Sequence, residues 1–132
     1  MSCTVKGNLS AAAVQNSVAG FIEEINRTLE AAGCPKDVRR QVDTAADEVM
    51  SNIVDYSGAG RMTLDYEVKG SRICLCFKDD GKPFNPLGAS SPDLSVISSD
   101  GGFGIFLTRS LMDNLSYEYS GGLNALTLVK GW

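Results

Sequence analysis

The chain has 132 residues, enough for one domain that buries a core without metals or crosslinks. Its 12 Lys and Arg against 16 Asp and Glu leave a formal net charge of -4, which excludes the basic footprint that nucleic acid or an anionic membrane requires. The N-terminus, "MSCTVKGNLS", has no basic segment followed by an apolar core, and no apolar run approaches a membrane span, so a cytoplasmic protein of a single domain, residues 1–132, is expected.

From Asn8 or Ser10, both good N-cap residues, Val14, Val18, Phe21, Ile22, Ile25 and Leu29 recur at helical spacing, which predicts a first helix ended at Gly33. Pro35 suits the first turn of a second helix with the stripe Val38, Val42, Ala45, Val49 and Ile53, stopped by "SGAG". "RMTLDYEV" alternates Met62, Leu64, Tyr66 and Val68 against Thr63, Asp65 and Glu67, and with "RICLCFKDD" it reads as an antiparallel hairpin. The Ser-rich stretch "NPLGASSPDLSVISSD" has two prolines and little periodicity, at a length where a structureless loop is usually functional or disordered, and it reads as a lid candidate.

After "GGFG", a helix is expected over Ile105–Met112, followed by a second hairpin, "NLSYEYS" with "LNALTLVKGW", turning at Gly121 and Gly122. Hairpins interspersed with helices give an α+β fold: a two-layer sandwich with a mixed, mainly antiparallel sheet and about three helices on one face. Cys3, Cys34, Cys74 and Cys76 occur without any His or C-x-x-C spacing and read as small hydrophobes in a reducing compartment. If Asp79 faces inward, strand alternation puts Cys74 and Cys76 on the opposite sheet face beside Thr63, Asp65 and Glu67, a mixed surface suited to a protein contact.

Three segments carry chemistry. In "DEVMSNIVDY", Glu48 and Asn52 lie four residues apart on the second helix and project from the same side, at the edge of its buried stripe, whereas Asp43, Asp47 and Asp55 read as surface charges. In "CFKDDGKPF", Asp79 continues the inward face of Ile73, Leu75 and Phe77, and a buried carboxylate needs donors. In "SDGGFGIFLTRSL", glycines 101, 102 and 104 precede a helix whose free N–H groups suit phosphate. A Walker A loop is excluded because no Gly-Lys-Ser/Thr ending follows, and a dinucleotide fingerprint fails at Leu107.

This ordered set resembles the Bergerat ATP-binding fold of the histidine-kinase-like ATPases. Within that fold it is similar to the small anti-sigma-factor serine kinases, from the first helix through "GIFLTRSLMDNLSY" to "GGLNALTLVK". The resemblance implies ATP and Mg²⁺ as cofactors, with Asn52 holding the metal, Glu48 as general base, Asp79 accepting from the adenine amino group and Gly81 admitting backbone close to the base. Gly101, Gly102 and Gly104 would cradle phosphate, with Tyr56, Phe84, Phe103 and Thr127 also at the nucleotide. The sequence departs from the family pattern at Tyr56, where relatives often carry His, and at Lys82-Pro83, where they are richer in glycine.

The implied function is a serine/threonine-protein kinase and anti-sigma factor that phosphorylates a small STAS-type antagonist. It would sequester a sigma factor and act as a homodimer in transcription regulation. A rival reading is a nucleotide-gated binding module without transfer, which has no use for a base at Glu48. A histidine autokinase is a second rival, but the chain has no His to phosphorylate.

Overall fold

The computed structural model describes residues 4–83 and 108–132. The lid stretch 85–100, the "GGFG" turn, Phe84 and the first part of the helix expected from Ile105 lie outside those residues.

The chain opens with a strand, β1 (Thr4–Ala12), where a helix was expected from Asn8 or Ser10. The reason is visible in the pairing. β1 runs antiparallel to β2 (Arg61–Lys69), which sets Gly7, Leu9 and Ala11 opposite Tyr66, Leu64 and Met62 on the inner face. Asn8 and Ser10 therefore point outward, where Asn8 donates to Asp65 and Ser10 accepts from the Arg61 guanidinium at 3.1 Å. Cross-strand partners have replaced helix capping as the use of these two side chains. Helix α1 then runs over Gln15–Ala31 from an extended Val14 and buries Val18, Phe21, Ile25 and Leu29, as the periodicity predicts.

Helix α2 (Lys36–Asn52) begins directly after Pro35 and buries Val42, Ala45, Ala46, Val49 and Met50. It does not stop at Asn52 but widens into a π-helical turn, Ile53–Ser57, and the left-handed Gly58 (φ 71°) ends it. β2 and β3 (Arg72–Asp79) form the expected hairpin, and β4 (Asn114–Ser120) and β5 (Leu123–Gly131) form the second, after a helical stretch at 108–111.

The sheet order is β1-β2-β3-β5-β4, and all four pairings are antiparallel. Because β5 inserts between β3 and β4, the first residues of β5 lie against the last residues of β3, and Asp79 is paired with Asn124. The inner sheet face, carrying Met62, Leu64, Val68, Ile73, Leu75, Phe77, Leu126 and Leu128, packs with α1 and α2 into one core. On the outer face Cys74 and Cys76 are half-buried opposite Val129 and Thr127, while Cys34 is buried at the α1–α2 turn.

Candidate functional site

The site is built where the end of α2 meets the end of β3. Alternation along β3 turns Asp79 inward, and it is 5% exposed. Its Oδ1 accepts the Gly81 N–H at 3.0 Å and the Asn124 side-chain amide at 3.0 Å. Among the described residues nothing donates to Oδ2, so this buried carboxylate has one oxygen left with acceptor capacity.

Gly81 is required by close approach and not by its backbone angles. A Cβ there would lie 2.3 Å from the Ser57 carbonyl oxygen and 2.7 Å from Ser57 Oγ. The turn is held against the end of the π-turn by the Lys82 N–H, which donates to the Ser57 carbonyl at 2.9 Å. Ser57 is itself fixed, donating from Oγ to the Ile53 carbonyl at 2.8 Å and accepting from the Ala59 N–H at 3.2 Å.

Five residues before Ser57 lies Asn52, 7% exposed, one helical turn after Glu48, which is half-buried. Neither side chain has a hydrogen-bond or ion-pair partner among the described residues. The Asn52 amide therefore keeps its hydrogen-bonding capacity open among the described residues. Burial pushes the Glu48 carboxyl above the ordinary glutamate range, and repulsion from Asp47 and Asp55 pushes it the same way. Asp47 and Asp55 are exposed as expected. Asp43 is not a surface charge: it accepts from Asn26 on α1, its Oδ1 is buried without a partner among the described residues, and burial raises its carboxyl.

Of the residues singled out in the sequence, Glu48, Asn52, Asp79 and Gly81 are joined through the π-turn, and Tyr56 lies on that turn, 37% exposed. Thr127 is not brought to them. It is paired with Cys76 and sits out of phase with the buried Leu126 and Leu128, which puts it on the outer sheet face. Asn124 stands beside Asp79 instead, 4% exposed, and was missed. The alternation Asn124, Leu126, Leu128 carries the signal, since it puts a carboxamide on the inner face at the strand's first turn. Phe84, Gly101, Gly102, Phe103 and Gly104 lie outside the described residues.

A helix with Glu and Asn one turn apart, docked on an Asp-x-Gly strand end, is the geometry the sequence motifs implied. The family model for the histidine kinase-like ATPase domain matches residues 11–130. The chain belongs to that family. It is 33% identical over 101 residues to the serine/threonine-protein kinase BtrW of Bordetella bronchiseptica, covering 70% of each chain. The solved structure of the RsbU and RsbW domains of Rv1364c from Mycobacterium tuberculosis superposes at a TM-score of 0.70 with 13% identity, over 96% of this chain and 32% of that one. This chain thus spans about a third of that protein's length. The histidine kinase AdeS of Acinetobacter baumannii superposes at 0.54 with 14% identity, over 93% of this chain and 67% of that one.

The family makes this a kinase-like ATPase domain, and within it the chain stands with the anti-sigma-factor serine kinases, as its motifs indicated. ATP binding follows from the family. No helix among the described residues is long and apolar enough to cross a membrane.

Proposed function

We propose that the protein is a cytoplasmic ATP-dependent serine/threonine-protein kinase and anti-sigma factor, whose substrate is a small STAS-type antagonist in a partner-switching system. The observation that carries the reading is the pair on α2: a half-buried, raised carboxyl at Glu48 one turn from a buried, uncommitted carboxamide at Asn52. ATP binding alone has no use for the first.

Asp79 recognises the base. Its Oδ2 accepts from a 6-amino group, which adenine has and guanine lacks, and Gly81 lets the turn that follows Asp79 seat against Ser57. The Asn52 oxygen is a hard neutral donor and fits Mg²⁺, which takes few protein ligands and otherwise keeps water and phosphate oxygens. When bound, that ion supplies neutralisation of the phosphate charge. Glu48 accepts the proton of the substrate serine or threonine hydroxyl as its oxygen bonds to the γ-phosphorus and the bond to the β-phosphate oxygen breaks, leaving ADP and a phosphoprotein. Its raised pKa brings the base closer to the pH at which proton acceptance is effective.

A homodimer, a sigma factor bound in exclusion of the antagonist, and a role in transcription regulation complete the reading. The similarity to BtrW supports the kinase part of it. The test is transfer of labelled γ-phosphate from Mg-ATP to purified STAS-type antagonists. Label is expected on serine or threonine and is expected to vanish in Glu48→Gln. Tight Mg-ATP binding with no label on any antagonist encoded beside this protein would overturn the kinase reading and leave a nucleotide-gated binding module.

A further inference from the structure

The side chain that faces Asp79 across the β3–β5 ladder has four partners among the described residues. Asn124 Nδ2 donates to Asp79 Oδ1 at 3.0 Å and to the Lys82 carbonyl at 2.8 Å, with the Gly81 carbonyl at 3.4 Å. Its Oδ1 accepts from the Tyr117 hydroxyl on β4. Tyr117 is opposite Leu126, so it reaches Asn124 diagonally across the β4–β5 pair.

These partners fix the amide's orientation. A carboxylate and two carbonyls accept only, so they require the NH₂ end, and the phenolic hydroxyl occupies the remaining oxygen. If Asn124 turned over, its oxygen would face three acceptors. The amide in turn decides which Asp79 oxygen is occupied. With Oδ1 taking both Asn124 and the Gly81 N–H, the carboxylate cannot rotate without losing two bonds, and Oδ2 is the oxygen left for ligand. The same NH₂ ties the 81–82 turn to the end of β3, beside the place where Gly81 meets Ser57.

We infer that Asn124, oriented by Tyr117, is a positioning pair for base recognition: it commits Asp79 Oδ1 and presents Oδ2 to an exocyclic amino group, so it sets selectivity for a 6-amino purine. The inference rests on reading this site as the nucleotide site and extends it to residues on β5 and β4 that carry no phosphate or metal chemistry.

The experiment compares binding of ATP and of purine-riboside triphosphate, which lacks only the 6-amino group, to the full chain and to Tyr117→Phe and Asn124→Ser, by competition against a fluorescent ADP analogue. The unsubstituted protein is expected to favour ATP. Tyr117→Phe removes one hydrogen bond and is expected to lower that preference roughly two- to tenfold, with Asn124→Ser lowering it further. Affinity for the amino-less nucleotide should change less than twofold in Tyr117→Phe, because it does not use Oδ2, and should fall less than ATP affinity in Asn124→Ser. A purely structural role would weaken both nucleotides equally; that result, or an unchanged preference in both variants, overturns the proposal. Thermal unfolding of each variant checks that it is folded, and Tyr117→Phe, which removes only a hydroxyl, keeps the test decisive if Asn124→Ser does not fold. Failure of the unsubstituted chain to bind either nucleotide would sink the nucleotide reading beneath it, a result distinct from equal weakening.

Discussion

Gly81→Ala tests the junction between the helix that carries Glu48 and Asn52 and the turn after Asp79, proposed above to bind the base. The added Cβ would sit 2.3 Å from the Ser57 carbonyl oxygen and 2.8 Å from its carbon, and backbone of a helix end cannot swing aside as a side-chain tip can. The turn must lift instead. Two hydrogen bonds are then at risk, Lys82 N–H to Ser57 O at 2.9 Å and Gly81 N–H to Asp79 Oδ1 at 3.0 Å. At about 0.5–1.5 kcal/mol each, their loss amounts to about 1–3 kcal/mol, or roughly five- to 150-fold in ATP affinity where the bound state needs the turn seated. Isothermal calorimetry with Mg-ATP measures it, and Gly60→Ala is the control, because the nearest atom to its Cβ is 3.8 Å away. Gly81→Ala binding ATP within twofold of the unsubstituted protein would refute the claim that this contact sets the base site.

Glu48→Gln keeps the shape and removes the proposed base, so phosphoryl transfer should fall roughly a hundredfold or more while ATP affinity holds; transfer within a few-fold would assign catalysis to positioning alone. Asp47→Asn with Asp55→Asn removes two repulsive charges from Glu48, so its carboxyl ionises at lower pH and the acid limb of the transfer profile should move to lower pH, with burial still holding it above ordinary glutamate; an unmoved limb would separate that limb from Glu48. Gly7→Ala drives a Cβ to 2.1 Å from the Tyr66 ring and breaks the Tyr66 hydroxyl bond to Glu24 at 2.7 Å, so thermal unfolding should show about 1–3 kcal/mol of destabilisation, while ATP affinity stays unchanged because β1 is the far edge of the sheet from Asn124.

Periodicity carried most of the architecture. Both hairpins, the α1 and α2 stripes and the inward turn of Asp79 were legible, because each is a repeat of apolar side chains against one core. β1 was not, since "NLSAAAV" mixes cap residues with good helix formers and its strand state is decided by pairing with β2, a distant partner in sequence. Asp43 looked like a surface charge because its burial depends on Asn26 of the neighbouring helix. Asn124 and Thr127 are a lesson in phase. Both lie on β5 and differ by three residues, so they face opposite sides of the sheet, and only register against β3 says which one reaches Asp79.

The π-turn is what makes the two halves of the site one unit. An α-helical end at Asn52 would have left its last carbonyls to solvent, whereas the wider turn brings Ser57 round so that its hydroxyl satisfies the Ile53 carbonyl and its own carbonyl receives Lys82. The neighbouring acids divide the remaining work. Asp79 turns inward to Asn124 and the open oxygen, while exposed Asp80 turns outward, accepting the Gly60 and Arg61 N–H groups at 2.8 and 3.1 Å, bonds that hold its carboxyl below the usual range. The chain leaving α2 is therefore tied to the end of β3 on both sides of one peptide unit. The 81–82 turn and the helix that carries Asn52 and Glu48 thus share Ser57 as their point of contact.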